Sequence, residues 1–312
     1  MPVLALDVGG TKLAAALVDD DGVVLRSARR TTPAEPWPAC LALLEEVADG
    51  VDVDGVGAGC GGPMRWPDGV VSPLNMPSWT AFPLRERLSA RWPGRPVRVH
   101  NDAVCAAVGE HWRGAGQGER DLLGVVVSTG VGAGLVLGGR VLDGATGSAG
   151  HVGHVVVEPD GPVCGCGGRG CLEAIARGPA VVAWARERGC AATDGRELAG
   201  LAADGDRVAV QALARAGRAL GVAFASAAAL LDLRRVAVGG GLSQAGPPLW
   251  TPMREAVALH ARLPFPERLS VVPAGLGQEA GLVGAAALVL AGDRYWSPGD
   301  DGPRAARAAG GC

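Results

Sequence analysis

The chain has 312 residues, of which 48% are hydrophobic and 20% charged, and its formal net charge is −3. This length predicts two domains with a sizeable core, the composition excludes a disordered chain, and the slightly acidic balance argues against a nucleic-acid partner. The longest apolar stretch near an end, 280–291, is too short to cross a bilayer, and no positively charged signal region opens the sequence, so we expect a cytoplasmic protein with no membrane partner.

The chain begins with short apolar runs separated by turns, and the same order returns in the middle. Strands are predicted at 3–6, 13–18 and 23–25, and again at 122–127, 135–137 and 141–142. A turn that starts at Asp7 follows the first strand of one set, and a turn that starts at Ser128 follows the first strand of the other. With Asp7 aligned to Ser128 and Gly9 to Gly130, we interpret the two segments as a diverged internal duplication, which predicts two similar lobes.

Helical patterns lie between and after these repeats. Helices are predicted at 38–48, 83–92, 103–112, 178–189, 207–231 and 281–290, with further strands at 97–100 and 236–238. Strands that alternate with helices indicate an α/β protein. We place a smaller lobe at 1–115, with a closing helix at about 279–296 packing back on it, a larger lobe at 116–278, and a disordered tail at 297–312.

Three Gly-rich turns each follow a predicted strand, at Asp7–Lys12, Ser128–Gly134 and Gly239–Gly241. Glycine lets a backbone approach a ligand closely and point consecutive N–H groups at an anion. One such turn alone is more often a tight turn or a close packing contact, but three turns, two of them related by the duplication, favour phosphate binding. Neither a P-loop nor a dinucleotide motif fits, because the first two turns lead into hairpins and not into helices.

Two carboxylates at predicted strand ends could take part in phosphate chemistry. Asp7 could hold a hydrated Mg²⁺ against phosphates, although an aspartate that caps a turn is also common. Asp102, beside Asn101, begins a predicted helix, where aspartate is a good N-cap. The other interpretation of Asp102 is a general base, kept ionised by the helix N-terminus. The sequence leaves both interpretations open, because geometry decides a base before its pKa does.

A cluster of histidine and cysteine carries the most specific signal. His154, Cys164, Cys166 and Cys171 form the Cys₃His set that suits tetrahedral zinc, among glycines that let the chain wrap a metal. Free thiols are the alternative, which the density of the cluster disfavours. Four protein ligands predict a structural zinc, which would also orient the imidazole and Glu173. The other cysteines are scattered, which indicates a reduced protein and not a disulfide framework.

In order and spacing, these motifs resemble the ROK family of sugar kinases and related repressors. The matching motifs are Asp7–Lys12, Asn101–Asp102, Ser128–Gly132, Gly150–His154, Cys164–Glu173 and Gly239–Gly241. The resemblance covers residues 3 to about 291 and implies an actin-like ATPase fold with two ribonuclease-H-like lobes, in agreement with the duplication. It also implies ATP, Mg²⁺, structural Zn²⁺ and a sugar as ligands, and a homodimer or homotetramer.

The resemblance implies roles residue by residue. Asp102 resembles the base that deprotonates the sugar 6-hydroxyl. His154 resembles the residue that binds both zinc and sugar, and Glu173 resembles an acceptor of hydrogen bonds from sugar hydroxyls. The candidate sugar-binding residues are Gly62, Asn75, Asn101, Asp102, His151, His154 and Glu173. The candidate nucleotide-binding residues are Asp7, Gly9, Gly10, Thr11, Lys12, Ser128, Thr129, Gly130, Val131, Gly132, Gly239, Gly240 and Gly241. Lys12, at the end of the first phosphate loop, faces either ATP or the hairpin surface.

One departure from the family pattern bears on the sugar. Most family kinases carry Glu where this chain has His151, and a histidine can donate a hydrogen bond to the carbonyl of a 2-acetamido sugar. The Gly-His-x-Gly-His pattern resembles bacterial N-acetylmannosamine kinases, so we expect a kinase for the 6-hydroxyl of an N-acylhexosamine, with N-acetylmannosamine favoured. Glucokinase is the alternative, because one pocket residue rarely settles specificity. A non-catalytic sugar-sensing regulator is an alternative of another class, but it would need a broken loop or a missing base.

Overall fold

The computed structural model describes residues 1–263 and 269–297. They fall into two compact units: unit 1 comprises Met1–Arg113, Gly139–Ala149 and the C-terminal part from Glu279, and unit 2 comprises Gly114–Gly138 and Gly150–Gln278. The tail predicted at 297–312 lies outside the described residues except for its first residue.

The elements alternate between strand and helix along the described chain. The strands are β1 (Val3–Val8), β2 (Lys12–Val18), β3 (Val24–Thr31), β4 (Val56–Cys60), β5 (Met64–Arg65), β6 (Val70–Val71), β7 (Phe82–Pro83), β8 (Val97–Asn101), β9 (Leu122–Val127), β10 (Val131–Leu137), β11 (Arg140–Val141), β12 (Arg235–Gly239) and β13 (Ser270–Pro273). The helices are α1 (Pro36–Ala48), α2 (Leu84–Arg91), α3 (Asp102–Arg113), α4 (Leu172–Ala176), α5 (Gly178–Arg186), α6 (Gly195–Ala203), α7 (Arg207–Leu231), α8 (Pro247–His260), α9 (Ala280–Leu290) and α10 (Gly292–Tyr295).

Unit 1 is built on a five-stranded sheet with the order β3-β2-β1-β4-β8. β1 runs antiparallel to β2 and parallel to β4, and β8 continues the sheet parallel to β4. All of β4 and nearly all of β1 are buried, as expected for continuous apolar strands that are covered on both faces. α1 packs on β1, β2 and β3, and α9 packs on β1 and β4. The carboxyl ends of β1, β4 and β8 therefore lie side by side at one edge of this sheet.

Helices α3 and α9 of unit 1 pack with their backbones in contact. A Cβ on Gly284 would overlap the carbonyl oxygen of Cys105, and a Cβ on Gly109 would overlap that of Ala280. Glycine is the residue that permits such a close approach of two helices. The contact fixes the start of α3, where Asp102 lies, relative to the start of α9.

Unit 2 repeats the architecture of unit 1. Its strands have the order β10-β9-β12-β13, with β9 antiparallel to β10 and parallel to β12, and β12 parallel to β13. This order and these directions match those of β2-β1-β4-β8 in unit 1, which confirms the predicted duplication and the α/β class. Among the described residues, α7 alone is long and apolar enough to cross a membrane, and 61% of its most apolar window is buried inside the protein, as in the core helix of a globular domain.

The register of the duplication differs from the predicted alignment. Asp7 lies inside β1, paired with Ala14, whereas Ser128 follows the last residue of β9. Matching the two sheets strand by strand places Asp7 opposite Val126, so the alignment of Asp7 with Ser128 is wrong by two residues. The predicted alignment matched Gly9 with Gly130. The glycines of the two turns do not occupy equivalent positions, because the turn after β1 is one residue longer than the turn after β9.

Several element bounds also differ from the sequence prediction. β3 continues to Thr31, with charged residues on an edge strand, where they are expected to discourage pairing with other chains. Gly132 and Gly134 lie within β10 and not in the turn before it. The pattern missed α8, which begins with two prolines and contains Pro252; it forms against α7 because Gly217 allows the backbones to touch.

Candidate functional site

The first Gly-rich turn joins β1 to β2 in unit 1. The N–H of Gly9 donates to the carbonyl of Lys12 at 3.0 Å, and the hydroxyl of Thr32 donates to the carbonyl of Gly9 at 2.7 Å. Gly10 faces Asn75, so close that a Cβ on Gly10 would lie 2.5 Å from the Asn75 Cβ. Thr32, the residue after β3, therefore holds the turn in place. Because Gly10 has no side chain, Asn75, a candidate sugar ligand, can pack against the backbone of the turn.

Asp7 is a buried carboxylate beside this turn. Its Cγ lies 3.5 Å from the Cβ position of Gly281, in the first turn of α9. Burial, and after it the charge of Asp102, raises the pKa of Asp7 to about 6, while the cations of Lys12 and Arg29 oppose the shift. Two mutually repelling carboxylates in one unit are a place where a divalent cation would be stabilised.

The Asp7 carboxylate is expected to destabilise the metal-free fold at neutral pH. Its folded pKa of about 6 exceeds the usual 3.8, so the folded state gains stability as the pH falls from about 6 to 4 and loses it as the pH rises through that window. A shift of this size corresponds to about 2–3 kcal/mol. Asp7→Asn should therefore raise the melting temperature by roughly 5 °C at pH 7.5 and by nothing at pH 4.

Differential scanning calorimetry in metal-free buffer measures this effect. Asp204→Asn, an exposed carboxylate after α6, is the matched control and should leave the melting temperature unchanged at both pH values. A stabilisation by Asp7→Asn that is equal at pH 4 and pH 7.5 would show that the charge of Asp7 is not its cause.

Asn101 and Asp102 begin α3 at the end of β8. The N–H of Ala103 donates to Oδ1 of Asn101 at 3.0 Å and to Oδ1 of Asp102 at 2.8 Å, so both side chains cap the helix. Oδ2 of Asp102 lies 3.8 Å from the Cβ position of Gly61, and Nδ2 of Asn101 lies 3.9 Å from that of Gly62. The cap therefore holds one oxygen of Asp102 and directs the other towards the glycines after β4.

A polar contact of unit 1 that the sequence does not predict lies directly behind this pair. His100 is buried, with Nε2 at 2.9 Å from Oδ1 of Asp143 and Nδ1 at 2.7 Å from the N–H of Asn101. Forty-three residues separate His100 from Asp143. The only signal in the sequence was that His100 precedes the Asn101–Asp102 pair.

The second and third Gly-rich turns adjoin in unit 2. The N–H of Ser128 donates to the Gly130 carbonyl at 2.9 Å. Gly240 has a φ of 90°, and a Cβ there would overlap the carbonyl oxygen of Val127. Glycine is thus required at Gly240 both by its left-handed backbone and by the close approach. The Cβ position of Gly241 lies 4.0 Å from Oγ of Ser128, so the two turns form one backbone-lined surface.

The predicted zinc ligands meet in unit 2. The ligand atoms of His154, Cys164, Cys166 and Cys171 all lie within 4.8 Å of one another. Sγ of Cys166 is 3.8 Å from Sγ of Cys171, and Sγ of Cys164 is 3.9 Å from Nδ1 of His154. A tetrahedron with Zn–S bonds of about 2.3 Å has S–S edges of about 3.8 Å. The donor set and these distances fit tetrahedral zinc.

The chain around the thiols is held by its own backbone. The N–H of Cys164 donates to the Gly168 carbonyl at 2.8 Å, and a hydrogen bond from the backbone of Gly168 lowers the pKa of Cys166. Cys171 is the residue before α4, and Glu173, in the first turn of α4, accepts from the N–H of Val131 at 2.9 Å. The thiol cluster is therefore linked through α4 to the start of β10.

The two histidines of the Gly-His-x-Gly-His pattern lie at one short 3₁₀ turn, Val152–His154. His151 precedes the turn and His154 ends it, with ring centroids 6.4 Å apart and planes inclined by 16°. Nδ1 of His154 faces the thiols, so Nε2 is on the opposite side of the ring. The nearly parallel rings give unit 2 two neighbouring imidazoles beside the thiol cluster.

The candidate residues divide between the two units. Unit 1 holds Asp7, Gly9, Gly10, Thr11, Lys12, Gly62, Asn75, Asn101 and Asp102; unit 2 holds Ser128, Thr129, Gly130, Val131, Gly132, His151, His154, Cys164, Cys166, Cys171, Glu173, Gly239, Gly240 and Gly241. Lys12 is the first residue of β2, where it pairs with Thr31, and not part of the turn itself.

Known proteins resemble the chain over nearly its whole length. The model of the ROK family matches residues 3–291. N-acetylmannosamine kinase of Citrobacter koseri is 36% identical over 94% of this chain and 100% of its own. A ROK hexokinase of Thermus thermophilus shares 39% identity and a TM-score of 0.85, covering 94% and 99% of the two chains. A ROK glucokinase of Streptomyces griseus, solved with glucose and AMPPNP, shares 34% identity and a TM-score of 0.81, covering 93% and 99%.

Proposed function

The chain belongs to the ROK family, and on this premise we propose that it is an ATP-dependent kinase for the 6-hydroxyl of a hexose or N-acylhexosamine. The observation that carries the proposal is the placement of Asp102, whose Oδ1 is held by the start of α3 while Oδ2 is directed towards Gly61. A general base needs such a fixed carboxylate with one oxygen turned to the substrate. The Streptomyces griseus relative, named a glucokinase and bound to glucose and an ATP analogue, supports the same reaction.

Asp102 would accept the proton of the sugar 6-hydroxyl as its oxygen attacks the γ-phosphorus of ATP. The bond from that phosphorus to the β–γ bridging oxygen breaks, and ADP leaves. Because the phosphoryl group carries most of the developing charge, positioning and electrostatic stabilisation supply the catalysis. Asn101, whose Oδ1 is fixed by the Ala103 N–H, would bind the sugar through its amide. Asp7 would hold a hydrated Mg²⁺, a group that supplies positive charge to the phosphates of ATP.

The Gly-rich turns would bind the nucleotide through their backbones. In unit 1, Thr32 holds the Gly9–Thr11 turn in place. In unit 2, the adjoining turns at Ser128 and Gly240 offer N–H groups in a surface that a side chain at Gly240 would disrupt. Consecutive N–H groups of this kind bind phosphate oxygens.

The thiol cluster would hold one structural zinc. With Nδ1 of His154 and three thiolates as ligands, no coordination position remains for catalysis. The bond from Nδ1 to the metal leaves Nε2 protonated, so His154 would donate a hydrogen bond to a sugar hydroxyl. Cys171 lies next to α4, so the metal would also orient Glu173, which we propose as an acceptor for the sugar.

We favour N-acetylmannosamine as the sugar, on the chemistry of His151. An imidazole can donate to an acetamido carbonyl, which a carboxylate cannot do. The Citrobacter koseri N-acetylmannosamine kinase supports this assignment. The Streptomyces griseus glucokinase supports glucose equally well, so glucokinase is the second candidate.

His151→Glu should shift the preference of the enzyme from N-acetylmannosamine towards glucose. We expect kcat/KM for N-acetylmannosamine to fall about tenfold relative to glucose, the size of effect that one pocket contact supplies. The rates with ATP and a panel of glucose, mannose, N-acetylglucosamine and N-acetylmannosamine measure it. If glucose already has the higher kcat/KM with the unchanged enzyme, the role of His151 as an acetamido ligand is wrong, while the kinase assignment stands.

A further inference from the structure

We propose that His100 is a positioning residue, which holds the Asn101–Asp102 segment through Nδ1 while Asp143 fixes its tautomer. The inference rests on the proposed function, in which Asp102 is the base. It concerns a residue that touches neither substrate nor metal in that proposal. His100 is 1% exposed, so its two polar ring atoms must be satisfied inside unit 1.

The position of β8 in the sheet explains why Asn101 needs a partner. β8 is an edge strand, bonded only to β4 among the strands of its sheet. In a parallel edge strand, alternate N–H groups point away from the neighbouring strand and require another acceptor. The N–H of Asn101 finds it in Nδ1 of His100, at 2.7 Å.

The contacts of His100 define its tautomer. A backbone N–H can only donate, so Nδ1 is an acceptor and the ring proton is on Nε2. Nε2 lies 2.9 Å from Oδ1 of Asp143, a carboxylate that accepts this proton in a hydrogen bond. Asp143 belongs to a turn closed by the N–H of Ala149, which donates to the Asp143 carbonyl at 3.1 Å. Trp66 packs on the ring, with centroids 5.8 Å apart.

The bond from the N–H of Asn101 to His100 acts on the peptide group that joins His100 to Asn101, one residue before Asp102. If that peptide turned, both caps on the Ala103 N–H, at 3.0 Å and 2.8 Å, would shift, and with them Oδ2 of Asp102. Displacing a reacting group by about 1 Å can cost about 100-fold in rate. His100 therefore sets the direction of the base without contacting the sugar.

Two substitutions of His100 distinguish the role of Nδ1 from the role of Nε2. Asn presents a carbonyl oxygen near the place of Nδ1 and keeps the acceptor for Asn101, whereas Gln presents an amide near the place of Nε2 and keeps only the donor to Asp143. Per folded molecule, we expect His100→Gln to lower kcat roughly 10- to 100-fold and His100→Asn to retain most of it, with the KM for ATP unchanged in both. Equal losses in the two variants, or no loss in His100→Gln, would overturn the proposal.

A second measurement does not depend on catalysis. The ¹⁵N NMR spectrum of the unchanged protein should show Nδ1 of His100 without a proton and Nε2 with one. A protonated Nδ1 would overturn the proposal, even if the His100→Asn variant fails to fold. Asp102→Asn tests the proposed function in parallel: if that variant turns over at the normal rate, Asp102 is not the base, and the NMR result still shows whether His100 holds Asn101.

Discussion

Asp102→Asn is expected to lower kcat by about 10²- to 10⁴-fold, the contribution of a general base. The amide has the size of the carboxylate and can keep the cap on the Ala103 N–H, since its carbonyl oxygen also accepts. It cannot take the proton of the 6-hydroxyl. We therefore expect sugar affinity to stay within about threefold of the original, because the loss falls on the transition state and not on binding. Coupled detection of ADP and calorimetric titration of the sugar measure the two quantities.

Asp204→Asn serves as the matched control for this variant, since it makes the same change at an exposed site of unit 2. Its kcat and sugar affinity should equal those of the unchanged enzyme. Normal turnover by Asp102→Asn would show that Asp102 is not the general base and that its role is to cap α3. A loss of sugar binding as large as the loss of kcat would instead assign Asp102 to ground-state binding.

Cys166→Ser is expected to abolish zinc binding and to weaken sugar binding at least about tenfold. The thiolate of Cys166 would be one of the four proposed zinc ligands, and a hydroxyl is a poor substitute for it. Without the metal, the segment that carries His154 and, through Cys171, Glu173 loses its fixed geometry. Mass spectrometry of the metal content should give one zinc per unchanged chain and none per variant chain, and kinetic assays should show the rise in KM for the sugar.

Cys190→Ala is the matched control for the zinc prediction. Cys190 lies in the core of unit 2 but outside the thiol cluster, so its loss removes one thiol and no ligand. One zinc per chain and an unchanged KM are expected for it. Full activity of a metal-free Cys166→Ser variant would contradict the coupling of the zinc to the sugar site. A zinc content of zero in the unchanged protein would contradict the zinc site itself.

The elements that follow from a local pattern were predictable from the sequence. α7 has the predicted bounds, 207–231, because its apolar residues recur at helical spacing and Asp206 caps its start through the Ala209 N–H. The Cys₃His cluster was predictable for a different reason: four ligands of one metal must lie close together wherever the chain runs. The likeness of the two units followed from the repeat, since two copies of one pattern fold alike.

What the sequence could not predict depends on contacts between distant segments. The partner of His100 is Asp143, on a turn 43 residues away, and no spacing rule connects them. The raised pKa of Asp7 depends on burial and on the charge of Asp102, which lies almost a hundred residues away at the junction of β8 and α3. The register of the duplication is set by pairing between strands and not by the glycines, which is why the alignment of Asp7 with Ser128 failed.

The central claim, that the chain transfers the γ-phosphoryl group of ATP to a sugar 6-hydroxyl, has one direct test. Zinc-loaded protein is incubated with Mg-ATP and each of glucose, mannose, N-acetylglucosamine and N-acetylmannosamine, and the products are identified by ³¹P–¹H correlation NMR. We predict ADP and a sugar 6-phosphate in equal amounts with at least one of these sugars. Folded protein that forms no phosphorylated sugar with any of them, or that releases inorganic phosphate in its place, would contradict the claim.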